Sequence, residues 1–369
     1  MVQCVLPGFI DTQRMASGNE AKTTVLWVAA ALLSLTTAHA ADYPAPREGD
    51  WIVRDFVFRS GETMPELRLH YMTIGDPAGE PVLILHGSSR AGTSFLTERF
   101  AGELFGPGQP LDAGRYHLIL PDAIGAGSSS KPSDGLRAKF PKYTYDDIVL
   151  GHYRLLTEHL GITHVRLVLG SSAGGMQTWV WGVTYPDYMD ALMPLAALPM
   201  PMSGRNWMMR RMVIDGIVND PEWNGGNYTT QPRAWQRAYA YFGMATNGGT
   251  RAVYKSASTR EETDRIVDER LAESTDADAS DILYAYNASR DYDPTPHLER
   301  IEATIVSINA EDDERNPVEL GVLERAFERV ERGHYVVIPA GENTRGHGTT
   351  QDARLWKDEL EALLRMTGG

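Results

Sequence analysis

Short runs of apolar residues that resemble β-strands recur along this chain and restrict the folds it can adopt. Three of them are PVLILHG (81–87), RYHLILPD (115–122) and HVRLVLG (164–170). Their apolar residues follow one another directly, a pattern typical of strands buried on both faces of a sheet. Helix-like stretches lie between such runs, for example 144–160 and 175–185. The sequence therefore predicts an α/β fold with a mostly parallel sheet flanked by helices.

The alternation of strands and helices stops after Leu198 and resumes with ATIVSIN (303–309). The stretch between them is rich in Met, Trp and Tyr and contains no apolar strand. Since an unstructured loop of that length would be exceptional in a compact domain, we expect a helical lid inserted into the sheet domain. The predicted organisation is a signal peptide over 1–40, a first part of the core over 41–198, the lid over 199–300 and a second part of the core over 301–369.

The N-terminal segment has the features of a secretory signal peptide. Lys22 precedes an apolar run over 25–35, and the small-residue segment AHA (38–40) follows that run. The apolar run is too short to span a bilayer. We therefore predict cleavage after Ala40, a periplasmic or secreted location and no stable membrane insertion of the mature chain. A retained anchor or a buried helix is the alternative, and Met15 is an alternative start residue.

Composition argues against several classes of function. The chain has 35 Lys and Arg against 49 Asp and Glu, a net charge of -14, so we expect no nucleic-acid partner. Its single cysteine, Cys4, rules out a cysteine-rich zinc site and an internal disulfide. The glycine-rich turn GAGSS (125–129) lacks the lysine spacing of a phosphate-binding loop and the full dinucleotide fingerprint. We expect no metal and no organic cofactor.

The clearest chemical motif is the segment GSSAGG (170–175), which stands between an apolar strand and a helix. It contains G-x-S-x-G in the context of a nucleophile elbow, a sharp turn that raises a serine hydroxyl above the sheet. The flanking glycines are needed because a Cβ atom would clash in so tight a turn. Ser172 is therefore the predicted nucleophile, with Ser171 as the fallback and a plain tight turn as the alternative.

A nucleophilic serine needs a histidine base and an acid that orients the histidine, in the chain order Ser, Asp or Glu, His. His347 is the only histidine after the last predicted strand, and it lies in a loop flanked by glycines. A run of four acids (311–314) follows an earlier strand, where a carboxylate can reach the histidine Nδ1. We choose Asp313, four residues before Pro317, with Asp312 as the reserve and a solvated acidic loop as the alternative.

The oxyanion that forms during acyl transfer needs N–H donors that are already in place. One donor should be the backbone N–H of Ala173, directly after the nucleophile. The loop that follows 81–87 should supply the other donor, and we choose the N–H of Ser88. These residues predict a reaction that passes through an acyl-enzyme on Ser172.

The motifs together resemble the α/β-hydrolase superfamily and, more narrowly, its homoserine O-acetyltransferase branch. The resemblance covers most of the chain and is specific to the branch in GGMQTWVWGVTYPD (174–187) and DPEWNGGNY (220–228). It implies an α/β-hydrolase fold with a helical lid. It also implies a nucleophile at Ser172, an acid at Asp313 and a base at His347.

Three residues depart from the pattern of the transferases. Ala173 stands where they carry Met, Gly348 where they carry an Asp that can meet the substrate ammonium, and Ile214 where they carry an arginine suited to homoserine's carboxylate. Arg210 and Arg211 lie about one helical turn from Ile214 and could take over that role. A secreted location is a further objection, because acetyl-CoA is a cytosolic cosubstrate.

These departures favour water as the acyl acceptor. We therefore predict a serine hydrolase that cleaves a carboxylic ester or a lactone, with an O-acyltransferase of the homoserine O-acetyltransferase type as the alternative. A catalytically silent relative that binds a ligand through the lid is a third reading. The intact set of Ser172, Asp313 and His347 argues against it.

The predicted lid contains several Met and Trp residues. Met-rich surfaces adapt to varied ligands, so we predict that Trp207, Met209 and Arg210 bind a small-molecule ester substrate. The alternative is that these side chains only pack the lid against the sheet domain or against a second subunit. The lid of the resembled family commonly takes part in dimer contacts, which implies a homodimer through the lid.

Overall fold

A computed structural model describes residues 42–273 and 277–368 of the chain. The predicted signal peptide, its cleavage site, Met15 and Cys4 lie outside the described residues. The leader and the periplasmic or secreted location therefore stay predictions. In the part of the chain that the structure describes, no helix combines the length and apolar character needed to cross a membrane.

Eight strands of the described chain form one sheet in the order β1-β2-β4-β3-β5-β6-β7-β8. The two pairs that involve β2 are antiparallel, and all the others are parallel. The strands are β1 Arg47–Val57, β2 Thr63–Ile74, β3 Glu80–Leu85, β4 Tyr116–Pro121, β5 Val165–Ser171, β6 Met189–Leu195, β7 Thr304–Ala310 and β8 Gly333–Ile338.

The apolar runs of the sequence form the centre of this sheet. Every residue of β4 and β5 is buried. In β3, Val82 and Ile84 pack on one face of the sheet and Leu83 and Leu85 on the other, because successive side chains of a strand point to opposite faces. Both faces are thus covered, and the predicted mostly parallel sheet is confirmed.

Helices cover both faces of the sheet. Leu360 and Leu363 of one helix belong to the apolar cluster on one face, and Met176 and Trp179 of another belong to the cluster on the opposite face. The α-helices are α1 Ala101–Leu104, α2 Tyr145–Arg154, α3 Ala173–Thr184, α4 Gly204–Val218, α5 Trp235–Thr246, α6 Thr250–Ser256, α7 Arg260–Ala272, α8 Ala279–Asn287, α9 Val322–Phe327 and α10 Lys357–Thr367.

Helices α4 to α8 occupy the stretch between β6 and β7, where the sequence predicts the lid. They bury a small apolar cluster of their own, which includes Val213, Trp235, Phe242 and Tyr286. We call this group of five helices the lid. Its chain leaves the sheet at the carboxyl end of β6 and returns to the amino end of the parallel strand β7.

Candidate active site

Ser172 lies in the sharp turn between β5 and α3. Its backbone has φ +60° and ψ −116°, and its N–H donates a hydrogen bond to the Leu195 carbonyl at 2.8 Å. A positive φ is uncommon for a residue with a Cβ atom and costs of order 1–3 kcal/mol, so the surrounding structure must hold it in place. This strained turn presents the serine hydroxyl at the carboxyl end of β5.

The glycines around Ser172 are required by close packing. A Cβ atom on Gly170 would lie 2.2 Å from the Gly174 carbonyl oxygen, and one on Gly174 would lie 1.9 Å from the Leu85 carbonyl oxygen. A Cβ atom on Gly175 would lie 2.6 Å from the Leu195 carbonyl oxygen. These glycines therefore let α3 begin directly against the ends of β3 and β6.

The structure brings Ser172, His347 and Asp313 together. The His347 Nε2 atom lies 2.8 Å from Ser172 Oγ, and its Nδ1 atom lies 2.8 Å from Asp313 Oδ2. His347 lies in the loop between β8 and α10, and Asp313 follows β7. Both side chains are buried. Three distant parts of the chain thus form the hydrogen-bonded arrangement of a nucleophile, base and orienting acid.

Asp313, not Asp312, contacts the histidine. The Asp313 Oδ2 atom also accepts a hydrogen bond from Asn316 Nδ2 at 2.8 Å, and Oδ1 accepts one from the Arg315 backbone N–H at 2.9 Å. The Asp312 carboxylate instead accepts a hydrogen bond from Thr344 Oγ1 at 2.8 Å. The structure thus separates the two neighbouring acids that the sequence left open.

The electrostatics of this pair favour a neutral histidine beside a charged aspartate. Burial lowers the pKa of His347 most strongly, the nearby cations Arg315 and Arg210 lower it further, and Asp313 only partly offsets these effects. Burial alone would raise the pKa of Asp313, but His347, Asn316 and the Arg315 N–H together bring it below its usual value. A neutral His347 can donate its Nδ1–H to Asp313 and accept the Ser172 proton at Nε2.

Both predicted oxyanion donors lie next to the nucleophile. Ala173 is the first residue of α3, where a helix leaves its N–H groups without an intrahelical partner. The loop after β3 approaches from the other side, since a Cβ atom on Gly87 would lie 3.5 Å from Ser172 Cβ. Ser88 follows Gly87 and lines the same cavity as Ser172. The assignment of these two N–H groups to an oxyanion stays a prediction.

The Ser172 hydroxyl opens onto a cavity of about 1670 Å³ between the sheet domain and the lid. Of the three predicted substrate-binding residues, only Arg210 lines this cavity. Arg210 lies on the buried stripe of α4, whereas Met209 is rotated off that stripe and packs against the apolar cluster of the lid. Trp207 is half-buried and is not among the lining residues. Met209 and Trp207 thus do not line this cavity, and their part in substrate binding stays a prediction.

Arg315 also lines the cavity, and sequence analysis missed it. Its Nε donates a hydrogen bond to Thr246 Oγ1 at 2.9 Å, its Nη2 donates one to Asn247 Oδ1 at 3.0 Å, and its guanidinium lies 4.1 Å from the centre of the Phe242 ring. No motif could have identified it, because it follows an acidic run and its partners come from the lid.

The lid is also attached to the catalytic histidine loop. The His347 backbone N–H donates a hydrogen bond at 2.8 Å to the carbonyl of Thr246, the last residue of α5. Gly346 has φ +56°, and a Cβ atom there would lie 2.6 Å from the same carbonyl oxygen. The end of α5 is therefore packed against the backbone of the residue that would act as the base.

Metal ligands are not grouped in the described residues. In 42–273 and 277–368, no three His, Cys, Asp or Glu side chains come together in a way that could hold a metal ion. The described side chains around Ser172 are those of serine-based acyl chemistry.

Comparisons with known proteins agree with this geometry. A family model for the alpha/beta hydrolase fold matches residues 80–332. A probable acyltransferase from Methanothermobacter thermautotrophicus is 30% identical over 282 residues, which are 74% of this chain and 85% of that protein.

Two further relatives are named as transferases of one kind. A homoserine O-acetyltransferase from Haloferax prahovense is 32% identical over 198 residues, which are 48% of this chain and 46% of that protein, so the match spans about half the length of that relative. The crystal structure of a homoserine O-acetyltransferase from Bacillus anthracis has a TM-score of 0.73 at 21% identity and covers 87% of this chain and 98% of that one.

These relatives correct the sequence-based choice between water and an alcohol as acyl acceptor. The expectation of an ester hydrolase is wrong, since the relatives are named as acyltransferases and match the alternative reading better. The structure also weakens the objection to a transferase that was based on Ile214. Ile214 packs against the apolar cluster of the lid, while Arg210, one turn earlier on α4, reaches the cavity.

Proposed function

Because the chain belongs to the α/β-hydrolase family, in its homoserine O-acetyltransferase-like branch, and is an enzyme of the hydrolase fold, we propose that it is an O-acyltransferase. It moves a short acyl group from an activated donor to the hydroxyl of a small alcohol. The acyl group travels through an ester on Ser172.

The observation that carries this proposal is the hydrogen-bonded row of Ser172, His347 and Asp313 on the wall of a large cavity. Pockets for a single small ligand usually measure about 300–1,000 Å³. The cavity beside Ser172 measures about 1670 Å³, which is enough for a donor and an acceptor.

The first half of the reaction acylates the serine. His347 Nε2 removes the proton from Ser172 Oγ as that oxygen attacks the donor carbonyl, and Asp313 stabilises the imidazolium that forms. The N–H groups of Ser88 and Ala173 donate to the oxyanion. When the tetrahedral intermediate collapses, His347 returns the proton to the leaving group, which departs as a thiol or an alcohol.

The second half repeats these steps with the acceptor. Its hydroxyl gives its proton to His347 Nε2 and attacks the acyl carbonyl on Ser172. Collapse of the second tetrahedral intermediate releases the new ester, and the proton returns to Ser172 Oγ. The enzyme is then back in its starting state, and the net change is the transfer of the acyl group from the donor to the acceptor.

Charge in the cavity supports an anionic donor. Arg90, Arg233 and Arg237 line it in a protein whose net charge is -14. Arginine is suited to phosphate because its planar group donates two parallel hydrogen bonds. An acyl thioester that carries phosphate groups, such as acetyl-CoA, fits this lining.

The test offers the purified protein acetyl-CoA together with a panel of small alcohols that includes homoserine. We expect an O-acetyl product that depends on Ser172 and outweighs free acetate when a suitable alcohol is present, as measured by mass spectrometry. Ser172→Ala should abolish the product, whereas the neighbouring Ser171→Ala should retain it. If acetate stays the main product with every alcohol, acyl transfer is not the function.

A further inference from the structure

Two arginines of the cavity, Arg210 and Arg315, form no salt bridge with a carboxylate of the described residues. Arg210 is only 1% exposed. Its Nε donates to Asn206 Oδ1 at 3.0 Å, its Nη1 donates to Ser289 Oγ at 3.4 Å, and its guanidinium lies 5.3 Å from the centre of the Tyr286 ring. All three partners are neutral. A buried cation with only neutral partners is costly, so the site favours an anion that comes from outside the chain.

Arg315 is half-buried and its side chain likewise bonds only to neutral groups. Its side-chain hydrogen bonds go to Thr246 and Asn247, and its guanidinium stacks on Phe242. Burial lowers the pKa of Arg315 to about 10, which still leaves it charged at neutral pH. The charge of its neighbour Asp313 raises the pKa of Arg315, but Asp313 Oδ2 hydrogen-bonds to His347 and Asn316 and not to the guanidinium.

The two guanidinium groups lie near enough to each other for the charge of Arg210 to lower the pKa of Arg315. Arg210 lies over Tyr286 and Arg315 over Phe242, and these two rings are 6.0 Å apart. A guanidinium has five N–H groups. Each arginine uses two of them in the side-chain bonds described above, so three remain on each. Those groups can bind one carboxylate from two sides, beside the serine and histidine that line the same cavity.

The cavity offers no matching group for a positive charge. Its described lining includes no aspartate, and its two glutamates, Glu269 and Glu273, lie on α7. Glu269 is paired with Arg265 at 2.7 Å, and Glu273 is paired with Arg270 at 3.0 Å. An ammonium group brought beside Ser172 would meet arginines and no free carboxylate.

We propose that Arg210 and Arg315 together bind the carboxylate of the acceptor, and that this acceptor is a hydroxy acid without an ammonium group. The inference rests on the proposed acyltransferase function and names the acceptor class of that site. When the two arginines hold the carboxylate, the rest of the acceptor is oriented so that its hydroxyl can approach the acylated Ser172. An amino-acid alcohol would place an ammonium group in a cationic wall and would bind less tightly.

The experiment compares three acceptors that differ in one group at a time. They are 4-hydroxybutanoate, which carries a carboxylate; L-homoserine, which adds an ammonium group; and 1-butanol, which carries neither. With acetyl-CoA as donor, we expect kcat/KM to be highest for 4-hydroxybutanoate. Arg210→Met or Arg315→Met should raise its KM by roughly 10- to 100-fold, the effect of one lost charge-assisted hydrogen-bonding group, and should change KM for butanol much less.

Arg270→Met is the matched control, because Arg270 lines the same cavity but is paired with Glu273. Arg315→Met provides a second variant if Arg210→Met does not fold, since Arg315 is only half-buried. Preference for homoserine over 4-hydroxybutanoate would overturn the proposal. So would a rise of KM for acetyl-CoA instead of the acceptor, which would assign the arginines to the donor.

Direct binding separates this proposal from acyl transfer itself. Ser172→Ala is titrated by calorimetry with 4-hydroxybutanoate and with homoserine, alone and combined with Arg315→Met. Tighter binding of the hydroxy acid that is lost with Arg315 supports the carboxylate site even if no alcohol is acylated. Equal binding in the presence and absence of Arg315 would rule the site out even if transfer to an alcohol is observed.

Discussion

The sheet domain and the lid differ in how their helices are buried. Helix α3, which begins directly after the nucleophile, is buried from Ala173 to Val183, and this includes the polar residues Gln177 and Thr178. Helix α7 of the lid has no buried residue and reads REETDRIVDERLA. Helix α3 is packed on all sides by the sheet and other helices, whereas α7 lies on the surface beside the cavity.

This contrast assigns different tasks to the two regions. Catalytic atoms must keep their distances to within a fraction of an ångström, so they belong on elements that are packed on all sides. Substrate selection tolerates elements with few buried contacts, which open locally at lower free energy. Ser172, Asp313 and His347 come from the sheet domain, whereas Arg210 and the partners of Arg315 come from the lid.

The largest effect should follow from a change in the sheet domain. Ser172→Ala removes the nucleophile and should lower kcat by roughly 10⁴- to 10⁶-fold. Binding of the acceptor by the lid should persist, because no lid contact is lost. Rate and calorimetric binding are measured on the same preparation, with Ser171→Ala as the control. Equal loss of rate and binding would show that the two regions do not have separate tasks.

The next effect distinguishes two adjacent acids of the sheet domain. Asp313→Asn keeps the shape of the side chain but removes the charge that orients His347 and stabilises its protonated form, so kcat should fall by about 10⁴-fold. Asp312→Asn should have a much smaller effect, because Asp312 bonds to Thr344. Steady-state rates of the two variants provide the test. A similar fall of kcat in both variants would mean that His347 depends on both acids and not on Asp313 alone.

The smallest effect concerns a carboxylate that joins the lid to the sheet domain. Asp281 of α8 accepts hydrogen bonds from the Ser133 N–H at 2.9 Å and from Ser133 Oγ at 2.7 Å. Burial raises the pKa of Asp281 to about 6. The folded protein therefore binds this proton more tightly than the unfolded chain, and the free energy of unfolding should fall as pH rises from about 4 to about 6, by of order 3 kcal/mol from this group.

Asp281→Asn should remove that component, so the difference in unfolding free energy between pH 4.5 and pH 7.5 should shrink relative to the unchanged protein. Denaturant unfolding at the two pH values measures it. Asp215→Asn serves as the control, since Asp215 is exposed on α4 and paired with Arg211. If the unfolding free energy of Asp281→Asn depends on pH as strongly as that of the unchanged protein, Asp281 does not have a raised pKa in the folded state.

The centre of the sheet could be predicted from sequence because its strands carry their own signal. The apolar runs over 81–87 and 115–122 have no polar face, and that property alone indicates burial on both sides. Strand β1 was missed for the opposite reason. It reads REGDWIVRDFV, pairs only with β2, and exposes most of its side chains, so it lacks a continuous apolar run.

The same distinction holds in the site. Ser172 was predictable because its glycines are imposed by backbone contacts within one short segment. The choice of Asp313 over Asp312 needed the structure, since both stand in one acidic loop and differ only in which partner they face. Arg315 could not be found, because its partners are more than 60 residues away in the lid.

The hydrogen bond from the His347 N–H to the Thr246 carbonyl limits how this lid can diverge. A chimera in which the whole lid is replaced would lose the Thr246 carbonyl that holds the backbone of His347. A chimera that keeps α5 and exchanges only α6 and α7 would retain this hydrogen bond. Helices α6 and α7 have no buried residues of their own, so new sequences can be grafted there at little cost in packing. Sequence changes in the lid should therefore accumulate in α6 and α7, while the end of α5 stays constant.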